Sequence, residues 1–103
     1  MSRITLNPTT PGEMLLHEFM EPLCLTQYKL AKALDVAPIR ISQIIRGQRA
    51  ITPDTAIRLA RYFGNSAEFW LNLQVGYELK IARKNIEKSI FAHVQPYSSE
   101  KVA

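Results

Sequence analysis

Residues Thr26 to Arg49 constrain this chain more than any other stretch; they read TQYKLAKALDVAPIRISQIIRGQR. Leu30, Ala31 and Leu34 recur at helical spacing, and a break follows at Asp35-Val36-Ala37. Ile41, Ile44 and Ile45 then repeat the spacing until Gly47 closes the second segment. Each half spans only about two to three turns, too short to stay helical alone, so the two must support each other. Two such segments joined by a turn of three or four residues describe a helix-turn-helix. Ala31 is small enough to let a second helix cross closely, and Val36 is an apolar turn residue that predicts a turn packed on the core.

The second segment carries the chemistry. Its three isoleucines fall within about 100° of one another on a helical wheel. The opposite stripe is Ile39, Gln43 and Arg46, flanked by Arg40 and Ser42, with Pro38 at the start of the segment. A glutamine pairs bidentately with adenine, an arginine with guanine, and an aliphatic group meets a thymine methyl. Pro38, Ile39, Arg40, Ser42 and Gln43 are therefore the expected base-reading residues. The alternative is an ordinary solvated helix face.

Here the sequence resembles a family. Gln27-x-x-Leu30-Ala31-x-x-Leu34-x-Val36 and Ile41-Ser42-x-Ile44-Ile45-x-Gly47 are similar to the phage-repressor (Cro/C1, XRE) helix-turn-helix. Pro11-Gly12-Glu13, Ile51-Thr52-x-x-Thr55-Ala56, Arg58 to Gly64 and Phe69 to Gln74 resemble the HigA/VapI antitoxins, over residues 8 to 83. The resemblance implies an all-α, five-helix, lambda-repressor-like DNA-binding domain with a short C-terminal extension. It also implies that Gln27 contacts a DNA phosphate. Two positions depart from the family pattern. Asp35 stands where a turn glycine is usual, though Asp tolerates a left-handed backbone better than most residues. Ala37 stands where a capping serine is common, with Pro38 at the first helical position in partial compensation.

Charge is unevenly placed. The net charge is +4, but residues 26–61 alone carry seven basic against two acidic residues. Residues 1–25 hold Arg3 against Glu13, Glu18 and Glu21. A basic excess on the helix-turn-helix and its neighbour is the electrostatic footprint of a phosphate-binding face. Arg46 and Arg49 are the expected phosphate contacts beside Gln27, with Arg49 as a solvated loop charge the alternative. No membrane-length apolar run and no signal-peptide pattern occur, so a cytoplasmic location is the default expectation. The single Cys24 has no partner for an internal disulfide and reads as a buried structural thiol.

The chain is expected to form one domain, 1–103, with its core at about 8–84 and an extension at 85–103. Residues 1–9 read as an irregular lead-in and 97–103 as a frayed tail. A capping box at Thr10 to Glu13, with Pro11 at the first position, opens a helix running to about Glu21, with Leu15, Leu16, Phe19, Met20 and Leu23 as its apolar stripe. A second helix starts at the N-cap Thr26 and a third spans about Pro38 to Arg46. Thr52-Pro53-Asp54 opens a fourth, whose expected buried stripe is Ala56, Ile57, Leu59, Ala60 and Phe63, closed by a left-handed Gly64. The fifth should run from about Ala67 to Lys84. Its apolar residues are too many for one face, which predicts burial against a second copy as well as against the core. Trp70, Leu71, Leu73 and Tyr77 are the expected dimer anchors, although an aromatic cluster there also fits a core. Gly76 fits either a close helix approach or a tolerated glycine. Beyond Arg83, Ile86, Ile90 and Val94 fit a last helical turn or an extended arm, ended by Pro96.

Function follows as an expectation of a homodimeric, sequence-specific DNA-binding repressor acting on double-stranded operator DNA. The resemblance adds an antitoxin role against a RelE/HigB-like RNase toxin, with repression of the shared operon; a stand-alone phage-type regulator without a toxin is the alternative. The chain leaves no room for a long disordered tail, so a toxin is expected to dock on the folded surface. Glu18 and Glu21, the acidic block of the first helix, are the candidate contacts for a basic RNase face, the alternative being that they only cap and solubilise that helix. No paired carboxylates, nucleophile–base spacing, metal-ligand cluster or Gly-rich loop points to an enzyme or a cofactor. A pure protein-interaction module remains as a third class.

Overall fold

A computed structural model of the chain describes residues 9–98; the lead-in before Thr9 and the tail after Ser98 lie outside the described residues. The first helix is set by its cap. Thr10 Oγ1 accepts from the Glu13 backbone N–H and Glu13 Oε1 accepts from the Thr10 N–H, both at 3.0 Å. From there α1 (Pro11–Met14) runs without interruption into a π-helical stretch, Leu15–Met20. A regular helix was the expectation. The wider turn, closed by the Glu21 N–H on the Leu16 carbonyl at 2.9 Å, lets Leu15 and Met20, five apart, both reach the core with 0% and 1% exposure. The segment then turns off the helix: Cys24 adopts a left-handed φ of 56°. That rotation puts Leu23 and Cys24 into solvent and returns Leu25 to the core. Leu23 therefore does not continue the buried stripe, and Cys24 is an exposed thiol instead of a buried one.

α2 (Gln27–Leu34) and α3 (Pro38–Ile45) pack on each other and on α4 (Pro53–Phe63) and α1. Their meeting faces are the residues the periodicity selected: Leu30, Ala31, Leu34, Ile41 and Ile44 are all buried. Gly12 is where α1 and α3 touch. A Cβ there would lie 1.9 Å from the Ile44 carbonyl oxygen, so only a hydrogen at that position lets the two backbones meet. On α4 the buried residues are Thr55, Ala56 and Leu59; Ile57, expected in that stripe, is 62% exposed. Thr55 takes its place because the helix turns its 55–59 side, not its 57 side, inward.

α5 (Ala67–His93) is the long element and runs nine residues beyond the expected end at Lys84. No Gly or Pro interrupts residues 77–95, and helical propensity carries the segment on until Val94 leaves the helix and Pro96 forbids its return. Its N-cap is Ser66, which accepts from the Phe69 N–H at 3.0 Å. Asn65 has another role: its Oδ1 accepts from Trp70 Nε1 at 2.8 Å. Trp70 is fully buried within the protomer among Phe19, Phe63 and Phe69. It is a core residue and is removed from the set of dimer anchors; burial satisfies its apolar body and Asn65 its one donor. Leu71 and Leu73 are partly buried against the core and Tyr77 is half-buried. The freely exposed apolar residues of α5 lie further along: Val75, Leu79, Ile86, Ile90 and Phe91. Among the described residues, no helix is long and apolar enough to cross a membrane.

Candidate nucleic-acid interface

The turn between α2 and α3 is built from backbone geometry. Asp35 takes the left-handed conformation at φ 59°, and the Val36 N–H reaches the Ala31 carbonyl at 3.0 Å. Asp therefore does here what glycine does more cheaply. Ala37 occupies the N-cap of α3 with no side-chain hydrogen bond, and Pro38 follows at the first position. The carbonyls before Ala37, at the end of α2, are held from outside. Arg58 on α4 donates through Nη1 to the Leu34 carbonyl at 2.8 Å and to the Asp35 carbonyl at 3.2 Å. Its Nε donates to Asp54 Oδ1 at 2.7 Å. One guanidinium thus holds the end of α2 and the turn against α4.

Asp54 receives a second arginine from the other side. Arg40 Nη1 donates to Asp54 Oδ1 at 2.9 Å and to Thr55 Oγ1 at 3.3 Å. Arg58 first and Arg40 second hold the Asp54 carboxyl below the ordinary carboxylate range, and Asp54 in turn raises the Arg58 guanidinium. Arg40 was expected on the reading stripe. It is instead drawn sideways onto α4, where the Asp54 carboxylate accepts a charge-assisted bond from it. It braces α3 and does not stand with the outward residues.

Those outward residues are brought together. Ile41 and Ile44 point into the core, which turns Pro38, Ile39, Ser42 and Gln43 to the opposite side; Ile39 is 56% exposed. Gly47, at φ 76°, ends α3 and bends the chain so that Arg49 folds back along it. Arg49 Nε donates to Gln43 Oε1 at 2.9 Å. Two residues expected to act separately, one on a base and one on a phosphate, form a single hydrogen-bonded unit. Arg46 is exposed beside them, and Gln27 is exposed at the first position of α2, at the positive end of its dipole. The loop that carries Arg49 is anchored from behind: the Ile51 N–H donates to Gln74 Oε1 at 2.8 Å, and Gln74 Nε2 donates to Glu78 Oε2 at 2.9 Å. Arg58, Asp54 and Gln74 escaped the sequence reading as site residues. The i, i+4 spacing of Asp54 and Arg58 was a legible signal; nothing local marks Gln74, whose partner is 23 residues away.

Glu18 and Glu21 lie on the π-helical stretch and the turn after it, both exposed; Glu21 Oε1 pairs with His17 Nδ1 at 3.0 Å. Among the described residues no group of three His, Cys, Asp or Glu side chains could hold a metal.

The chain is similar in sequence and fold to known proteins. A helix-turn-helix family model, HTH_3, matches residues 16–70. Virulence-associated protein I of Dichelobacter nodosus is 53% identical over 75 residues, 73% of this chain and 69% of that protein. Among solved structures, the Pseudomonas aeruginosa antitoxin HigA with the higBA promoter superposes with a TM-score of 0.85 at 41% identity, over 89% of this chain and 100% of that one. An addiction-module antidote protein of the HigA family from Coxiella burnetii gives 0.84 at 43% identity, again over 89% and 100%.

Proposed function

We propose, from the premise that this chain belongs to the HTH_3 helix-turn-helix family, that it is a sequence-specific DNA-binding repressor acting in the cytoplasm as the antitoxin of a HigA-type module. The observation that carries the DNA-binding reading is the outward face of α3, polar and basic, held in place by Arg58 and continued by Arg49. Similarity to a HigA antitoxin with its promoter supports the same reading. Pro38, Ile39, Ser42 and Gln43 enter the major groove, while Gln27, Arg46 and Arg49 hold phosphates. One α3 reads only a few base pairs. Two copies of it, about 34 Å apart on one side of the duplex, read a pseudo-palindrome. The second copy is recruited through α5, whose exposed Val75, Leu79, Ile86 and Ile90 need a cover. A dimer seated on its own promoter excludes the transcription machinery from the same DNA.

The toxin half of the reading rests on similarity to HigA antitoxins and on the acidic Glu18 and Glu21, which complement the basic face an RNA-cleaving enzyme must have. The test is a mobility-shift assay on the gene's own upstream region, with and without the product of the neighbouring gene. A specific shift that the neighbouring product alters, and that Glu18→Lys/Glu21→Lys makes insensitive to it, supports the whole reading. A specific shift indifferent to any neighbouring product leaves a stand-alone regulator. No shift at all removes the DNA-binding reading.

A further inference from the structure

We infer that Arg49 is the specificity-positioning residue of the interface: it fixes the orientation of the Gln43 amide and so decides which base edge Gln43 accepts. This deepens the DNA-binding reading and rests on it. A glutamine amide has a donor side and an acceptor side of nearly equal shape. Free in a groove, it can flip and present either order, so its discrimination between base pairs is blunted. In this chain the flip is blocked. Arg49 Nε lies 2.9 Å from Gln43 Oε1, and the reversed amide would set an NH2 group against a guanidinium N–H, two donors with no acceptor between them. Oε1 is thereby committed to the Arg49 side, and Nε2 to the other.

The ordering group is itself held. Arg49 sits in the loop that Gly47 opens and whose far end, the Ile51 N–H, is fixed to Gln74 on α5. The Gln48 N–H closes on the Gln43 carbonyl at 2.8 Å, so the loop returns beside the residue it orients. Arg46, by contrast, is exposed and makes no such bond among the described residues. The two arginines are alike in charge and differ in this one contact, which separates their consequences. Removing Arg46 takes away a phosphate contact. Removing Arg49 takes away a phosphate contact and also frees the amide.

The experiment is selection from a randomised duplex library, at fixed salt, by the full chain and by Gln43→Ala, Arg49→Ala, Arg46→Ala and Gln43→Ala/Arg49→Ala. All substituted side chains are at the surface or partly so, and circular dichroism checks the helices. Gln43→Ala is expected to erase the base preference at one position of each half-site, by about tenfold. Arg49→Ala is expected to flatten that same position, while Arg46→Ala lowers affinity for every sequence and leaves the preference in place. The double variant should show no flattening beyond that of Gln43→Ala alone. Arg49→Ala that weakens all sequences equally, with the base preference intact, overturns the inference and leaves the DNA-binding reading standing. A wild-type chain that selects no sequence overturns both.

Discussion

Asp54 shows how much one side chain can organise. It is exposed, yet Arg40 of α3 and Arg58 of α4 both close on the same oxygen. Through Arg58 the link extends to the turn of the helix-turn-helix. Its carboxyl is held below the usual range by Arg58 and then Arg40. A depressed folded-state value stabilises the fold above the unfolded-state pKa, near about 3.9, and that contribution is lost as pH falls through the folded-state value. Melting temperatures of wild type and Asp54→Asn should therefore differ at neutral pH, wild type being higher, and converge on acidification below about pH 4. Equal melting temperatures at pH 7 would show that the two arginines do not need the charge. Gly12 makes a second residue-scale case. Gly12→Ala must displace the Ile44 carbonyl, at a cost of about 1–3 kcal/mol, which urea denaturation would register as a lower midpoint. Neither effect was legible in the sequence. Gly12 was visible as part of a motif, and the Asp54–Arg58 spacing as a helical pair, but Gly12 touches Ile44, 32 residues on, Asp54 bonds Arg40, 14 residues back, and Arg58 bonds Leu34, 24 residues back.

At the scale of elements, most caps and periodicities were well written, although Leu23 and Ile57 lie outside their expected stripes and Thr52 starts α4 without a side-chain cap bond. Thr10, Thr26, Asp35, Gly47 and Gly64 all terminate or start helices where their chemistry said they should. The reading failed where burial had two possible sources. Apolar residues in excess on α5 signalled a second buried face, but sequence spacing does not say which residues the protomer itself covers. Trp70 is taken by the core. A lysine at Leu73 would strike the core as well, since that residue packs there. Ile86 is half exposed on the part of α5 that extends past the other helices. Ile86→Lys should leave helical circular dichroism unchanged and shift sedimentation to the monomer. A wild-type monomer at micromolar concentration would remove α5 as the dimerising element. Gly76, with open space around its missing Cβ in the protomer, has no packing role within one chain.

The described residues span 61 Å by 28 by 23 Å, because the 27 residues of α5 reach about 40 Å. The fold separates three surfaces: a polar, basic face on α3 and its loop, an apolar stripe along α5, and acidic residues after α1. The α3 face depends on all the packed helices. α2 and α3 shape it, α4 clamps its turn through Arg58, and α5 anchors its loop through Gln74. Its outward stripe, proposed above to face the bases, was legible in the sequence because burying the isoleucines leaves only one outward side. The side-chain bonds that tune it were not, since they cross between elements. The central claim is sequence-specific operator binding by this face. It is tested most directly by fluorescence anisotropy of a duplex from the gene's own upstream region against a random duplex of equal length, titrated over a range of salt. The account predicts two chains per operator, affinity that falls as salt rises, and a preference for the operator of at least about a thousandfold. Equal affinity for the two duplexes, at every salt concentration, would contradict it.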